Sequence, residues 1–391
     1  VTGEFFEFFC PVKIISGHKA LANLPYEMTL LGVSKALVIT DPGVVNAGLL
    51  KPVQATMKGS DCKIAAIYDK TPPDSSSYVC NEVAQMFLKK KCDCFIALGG
   101  GSCIDTAKGA NIVISEGTDD LMKFQGMDRL TAHQKPLIVI PTTAGTGSEA
   151  TLVAVIKDVD RNTKMPFVSD ELYPALAIID PKMTMSMPPK ITAATGMDAL
   201  THAVEAYYSL QKNPISDCFA TSAIKLIFGN LLTAAKNGAD EQARLAMANA
   251  SLMAGIAFSN AMVGVVHALA HAAGGICKVP HGLANAILLP YGMEYNLKSS
   301  AAALGELAPA MGVKDLKGNA KKRAEAAIQA VFDLRQKLHD ATGMPLTLSE
   351  AGVTQKDLEK IAHGAVNDGS CTYNPEELEY KDAFKILKKA Y

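Results

Sequence analysis

Tryptophan is absent from the 391 residues, and aromatic residues make up only 6% of them. That scarcity excludes nothing by itself. The lack of a charge excess is more telling: 38 Lys and Arg stand against 39 Asp and Glu, a formal net charge of −1. A phosphate-tracking surface needs a basic excess, so nucleic acid is not an expected partner. No apolar run approaches the roughly 20 residues that cross a bilayer, so a membrane is not expected either. The opening Val1-Thr2-Gly3-Glu4 carries no basic segment followed by an apolar stretch, the mark of a secretory leader. The nine cysteines are odd in number, irregular in spacing and free of any CxxC pair. They form neither a disulfide framework nor a thiolate zinc site, and a reducing cytoplasm is the expected compartment. There is no repeat with a period of about 20–50 residues. Neither GxGxxG nor GxxxxGK[ST] occurs, and the missing Gly-Lys-Ser/Thr argues against a P-loop kinase.

What is present is a foldable chain, 49% hydrophobic and 20% charged, long enough for two domains. From residue 12 to about 180, short apolar runs alternate with stretches of helix length. The runs are Val12–Ile15, Ala36–Thr40, Ile64–Tyr68, Cys94–Leu98 and Leu137–Ile140, with helices expected over Tyr78–Lys89 and Ile104–Ile114. This alternation predicts βαβ units and a parallel sheet covered on both faces. After Ile178-Ile179-Asp180-Pro181 the pattern changes. A Met- and Pro-rich stretch leads into Ala- and Leu-rich sequence of helical spacing, punctuated by Asn213-Pro214, Asn237-Gly238, Gly274-Gly275 and Gly343-Met344-Pro345. The reading is an α/β domain over residues 1–185 and an all-α domain over residues 186–391.

Two loops follow apolar runs. Gly99-Gly100-Gly101-Ser102 lies between a strand and a helix start, where glycines allow close approach and helix N–H groups face an anion. Taken alone, it is as well explained by a tight turn as by a pyrophosphate site. Pro141–Thr151 crowds threonines and glycines at another strand end, the edge where open α/β sheets bind ligands; capping and turn formation would explain it too. Asp41, after Ala36–Thr40, is placed to accept from a ribose hydroxyl, although an Asx turn before Pro42-Gly43 is the plainer reading.

The histidines carry more. Asp198 and His202 are four residues apart, as are His267 and His271, so each pair shares a helix face. Gly274-Gly275 is the expected stop of the second helix. His281 follows in Pro280-His281-Gly282. Buried among Ala and Leu, such groups are costly unless paired or metal-bound. Imidazole and carboxylate without thiolate suit a divalent transition metal. Singly, each histidine is better explained as a core or surface residue; together they favour a metal site. Glu205, seven positions after Asp198, has no role that helical spacing alone assigns.

In combination, Gly99–Ser102 with Asp105 and Lys108, the Pro141–Thr151 loop, Asp198/His202, His267/His271 and Pro280-His281-Gly282 resemble the iron-containing (group III) alcohol dehydrogenases. The match runs from about residue 10 to the C-terminus. It implies an α/β dinucleotide-binding domain followed by an all-α metal-binding domain, a dehydroquinate synthase-like architecture. It implies Fe²⁺ on Asp198, His202, His267 and His281, and it places His271 near the nicotinamide and substrate without ligating the metal. The same nitrogen and oxygen donors also suit Zn²⁺ or Mn²⁺, and the expected role of His271 is to pass the proton to solvent. It implies NAD at Asp41, Gly99, Gly100, Gly101, Ser102, Thr142, Thr143, Thr146 and Lys164, and a small substrate pocket at Phe258 and Cys371. One departure is visible: Asp74, in Thr71-Pro72-Pro73-Asp74, stands where the family commonly has Asn. The expected activity is a metal-dependent, NAD(H)-linked interconversion of a small primary alcohol or diol and its aldehyde, in a homo-oligomer. The rival readings are a zinc-dependent glycerol dehydrogenase-like enzyme of the same fold and a non-catalytic nucleotide- or metal-binding module.

Overall fold

The computed structural model describes residues 5–160, 163–314 and 317–391. Val1–Glu4, which carry the leader reading, lie outside the described residues. The chain divides into two compact units. One comprises Cys10–Thr143 and Gly147–Ser186; the other comprises Met187–Tyr391 with Ala144–Thr146 and the residues up to Phe9.

The first unit contains strands β1 (Lys13–Ser16), β2 (Lys35–Ile39), β3 (Lys63–Tyr68), β4 (Cys94–Gly99), β5 (Gly126–Met127), β6 (Leu137–Pro141), β7 (Val153–Asp158), β8 (Thr163–Val168) and β9 (Leu176–Ile179). Its helices are α1 (Leu24–Leu30), α2 (Pro42–Asn46), α3 (Leu50–Thr56), α4 (Ser77–Lys90) and α5 (Gly101–Ser115). Six strands form one sheet in the order β1-β9-β6-β4-β2-β3, with every pairing parallel. Alternate side chains enter opposite cores. Val38, Ile96, Leu98, Ile138 and Ile140 pack with Leu24 and Met28 of α1 and Val53 of α3. Leu37, Ile39, Phe95, Ala97 and Val139 pack with Phe87 of α4 and Ile104 and Ala107 of α5. Each such large apolar side chain contributes about 1.5–3 kcal/mol. That burial on both faces explains why these strands read as unbroken apolar runs.

The order reverses at β2 and β4. From β2 the chain steps outward to β3, then returns across β2 to β4 and continues toward β1. The crevice at the carboxyl ends of β2 and β4 is therefore the switch point at which open α/β sheets bind ligands. A second, small sheet orders β5-β8-β7, with β7 and β8 antiparallel. The sequence reading did not anticipate this pair.

The second unit is helical: α6 (Pro189–Tyr208), α7 (Pro214–Lys236), α8 (Glu241–Ser259), α9 (Val265–Cys277), α10 (His281–Leu307), α11 (Ala320–Thr342), α12 (Asp357–Ala365) and α13 (Tyr380–Ala390). α7 is long and apolar enough to cross a membrane, but it carries Asp217 and Lys225 and buries Ile224, Ile227 and Leu231 against its neighbours. Arg244 of α8 is buried and fixes the start of α6, donating to Thr192 Oγ1 (2.8 Å) and to the Met187 carbonyl (2.9 Å). The expected helix stop at Gly274-Gly275 is corrected. α9 runs through both glycines to Cys277 and is capped by Lys278, whose φ of 61° and N–H bond to the Gly274 carbonyl close it. Pro280 bars Val279 from continuing the helix.

Candidate metal centre

α6 presents Asp198, His202 and Glu205 on one face, because positions i, i+4 and i+7 align along a helix. α9 presents His267 and His271, and α10 begins with His281. The ligating atoms of Asp198, His202, His267 and His281 all lie within 4.8 Å of one another. An ion with bonds of about 2.0–2.2 Å draws such a set together by small side-chain adjustments. Asp198, His202 and His267 are buried, while His281 is the open side, with 35% of its side chain exposed.

The Asn285 amide sits among these ligating atoms. Asn285, one turn after His281, donates through Nδ2 to Asp198 Oδ1 at 2.6 Å, and the same nitrogen lies 3.2 Å from His267 Nε2 and 3.2 Å from His281 Nε2. Three acceptors thus surround one partly positive group, which is what a cation site requires. Among the described residues, the Asn285 Oδ1 and His202 Nδ1 atoms are buried without a hydrogen-bond partner. Burial pushes the His202 imidazole below its ordinary value and His267 well below it, the direction that favours the neutral, ligating form. Burial works to raise the Asp198 carboxyl, but His281, His202, His267 and the Asn285 donor together bring it below the usual range. The donor set, its burial and its protonation states fit a divalent ion.

His271 stacks on His281, with centroids 5.3 Å apart, and its Nδ1 lies 2.9 Å from Asp368 Oδ2. Phe258 stacks on His202 at 4.4 Å. Cys371 lies in the turn Gly369–Tyr373 and donates its thiol to the Ala365 carbonyl at 3.2 Å.

The first unit gathers most of the expected cofactor residues at its switch point. Asp41 caps α2, with Oδ1 accepting from Val44 N at 3.0 Å, and Oδ2 accepts from the Cys103 thiol at 3.4 Å. The local role of Asp41 is therefore a helix N-cap, reaching three residues on rather than the two of an Asx turn. Gly99 ends β4, and a Cβ there would stand 2.4 Å from Cys103 Sγ, so β4 and α5 meet this closely only through glycine. Among the described residues, no side chain caps α5 at its N-cap Gly100, and the first turn through Gly101 and Ser102 turns N–H groups toward an anion. The Ser102 hydroxyl donates to the Pro73 carbonyl. Thr142 N donates to the Gly99 carbonyl at 3.1 Å, and Thr143 packs over Gly100. Lys164 pairs with Asp74 at 2.6 Å. Thr146 falls with the helical unit instead.

Lys108, fully buried in α5, donates to the carbonyls of Ser148 (3.1 Å), Thr151 (2.7 Å) and Val153 (2.9 Å) and so pins the segment after β6. Burial lowers its pKa and raises that of Asp105 beside it. Glu149 in the pinned segment is pushed up by burial to about 7.

Sequence reasoning missed Glu205, Asn285 and Asp368. Glu205 Oε2 lies 2.5 Å from His267 Nδ1. The signals available were the i+7 position of Glu205 from Asp198 and the i+4 position of Asn285 from His281; Asp368 had none.

Two family profiles match the chain: "Iron-containing alcohol dehydrogenase" over residues 11–181 and "Fe-containing alcohol dehydrogenase family, C-terminal" over residues 192–391. The NAD-dependent methanol dehydrogenase of Bacillus methanolicus is 35% identical over 98% of this chain and 99% of its own. The 1,3-propanediol dehydrogenase of Klebsiella pneumoniae is 36% identical over 99% of both. Among solved structures, a 1,3-propanediol oxidoreductase superposes with a TM-score of 0.95 at 36% identity, covering 99% of this chain and 100% of that one.

Proposed function

The chain belongs to the iron-containing alcohol dehydrogenase family, and from that premise we propose that it interconverts a small primary alcohol or diol and its aldehyde, with NAD(H) as the hydride carrier. The observation that carries this reading is the convergence of one carboxylate and three imidazoles from three helices. These four side chains would hold the ion, with Fe²⁺ as the proposed occupant and Zn²⁺ or Mn²⁺ as competitors for the same nitrogen and oxygen donors. Such an ion supplies Lewis acidity toward an alcohol or carbonyl oxygen.

The protein's own groups do the rest. Asp368 orients His271 through Nδ1 and leaves Nε2 to accept or return the hydroxyl proton. The Asp368 carboxyl stays ionised while it holds the ring. Burial acts to raise it, but His271 and Ser370 N keep it well below the usual range. Phe258 and Cys371 are assigned to the border of the substrate, which favours short, mostly apolar chains. The cofactor is assigned to Asp41, Gly99–Ser102, Thr142, Thr143, Thr146 and Lys164, a reading supported by the switch point and the open first turn of α5. Asp41 favours NAD because its carboxylate would repel a 2′-phosphate. The nine unpaired cysteines, five of them buried, support a reducing cytoplasm.

The test is an NADH-linked panel of short alcohols, diols and aldehydes. It uses protein stripped with a chelator and reloaded in turn with Fe²⁺, Zn²⁺ and Mn²⁺. Turnover should depend on reloading. Full activity in the metal-free protein refutes the metal role, and NADH binding without turnover of any member refutes the dehydrogenase reading.

A further inference from the structure

Glu205 is completely buried at the N-terminus of α9. Four donors point at its two oxygens. Oε1 accepts from Val266 N at 2.8 Å and from the Tyr208 hydroxyl at 3.1 Å. Oε2 accepts from His267 N at 3.3 Å and meets His267 Nδ1 at 2.5 Å. The carboxylate thus satisfies N–H groups that the first turn of a helix leaves open, and it places negative charge at the positive end of α9. Gly264 makes room for it: a Cβ there would lie 3.1 Å from Glu205 Oε1 and 2.6 Å from Asn374 Oδ1.

A carboxylate engaged as acceptor on both oxygens needs a donor from the imidazole. A neutral imidazole carries one proton, so with Nδ1–H turned to Glu205 the lone pair is on Nε2. Nε2 is the atom that faces the Asp198–His281 cluster, 3.2 Å from Asn285 Nδ2. We infer that Glu205 is a positioning residue that fixes the Nδ1–H tautomer of His267 and thereby presents Nε2 to the ion. The inference rests on the metal reading proposed above. Carboxylate partners of this kind orient the ring and raise its basicity.

The test uses the full chain, stripped of metal and titrated with Co²⁺ against a competing chelator while the visible d–d bands are followed. Glu205→Gln keeps the shape but sets an amide N–H against one of the donors. Its Co²⁺ affinity should fall roughly 10–100-fold, with altered d–d bands. Tyr208→Phe removes another donor from the same carboxylate without touching the imidazole, and it should bind Co²⁺ as the parent does. Equal binding by Glu205→Gln and parent overturns the inference. An equal loss in Tyr208→Phe also overturns it, because general loosening would then explain the effect. A parent that binds no Co²⁺ overturns this inference and the metal reading together; a parent that binds while Glu205→Gln binds equally overturns only this one. Should Glu205→Gln not fold, ¹⁵N-histidine spectra of the zinc-loaded parent decide. A slowly exchanging proton on His267 Nδ1 supports the inference, and one on Nε2 overturns it.

Discussion

Glu149→Gln should become progressively more stabilising as pH rises. Glu149 is 2% exposed, and burial raises its carboxyl from 4.5 to about 7. The folded chain therefore keeps a proton that the unfolded chain has already released. Stability linked to this group is complete below the unfolded value and is lost as pH climbs through the folded value. One pKa unit corresponds to about 1.36 kcal/mol, so the loss between about pH 5 and pH 8 is about 3 kcal/mol. Glutamine holds the uncharged form at every pH. The difference in unfolding free energy between variant and parent should therefore widen by about 3 kcal/mol over that range. For a unit of this size the change corresponds to roughly 6–12 °C in Tm. Thermal unfolding of both proteins across the range cancels the titration of groups that do not interact with Glu149; Lys108, which does, is lowered to about 8 and titrates at the upper end of the range. A difference that stays constant with pH refutes the reasoning.

Lys108→Met removes the ammonium that three carbonyls share and leaves those acceptors without their donor. The loss should be about 1–3 kcal/mol or more, read by denaturant unfolding. Asp198→Asn should abolish stoichiometric metal retention, measured by elemental analysis after dialysis, and turnover should fall with it; full metal content would refute the ligand assignment. His271→Ala should lower turnover while metal content stays intact, and unchanged turnover across pH would refute its role in proton transfer.

The sequence was legible where burial is continuous or spacing is short. β2, β4 and β6 read as strands because both sheet faces are covered, so no polar residue interrupts them. Two i, i+4 pairs and His281 pointed to a metal site, but only the family resemblance separated the four clustered side chains from His271. The antiparallel pair β7 and β8 was not, since Thr163–Val168 interleaves Lys164 and Pro166 with its apolar residues and mimics a loop. Glu205 stood on the right helix face, but only the approach of α9 separates a partner of His267 from a bystander on the same face. Asp368 is separated from His271 by 97 residues, a distance that no local pattern spans. Gly274-Gly275 looked like a terminus because glycine favours helix ends; the helix instead runs to Cys277 and closes on the left-handed Lys278.

The quartet draws on α6, α9 and α10, so any bound cation is also a cross-brace among three separate rods. Loading then adds RT ln(1 + [L]/Kd) to resistance against unfolding. Scarcity of the ion would cost the cell twice, in idle catalyst and in a pool of protein more readily cut by proteases.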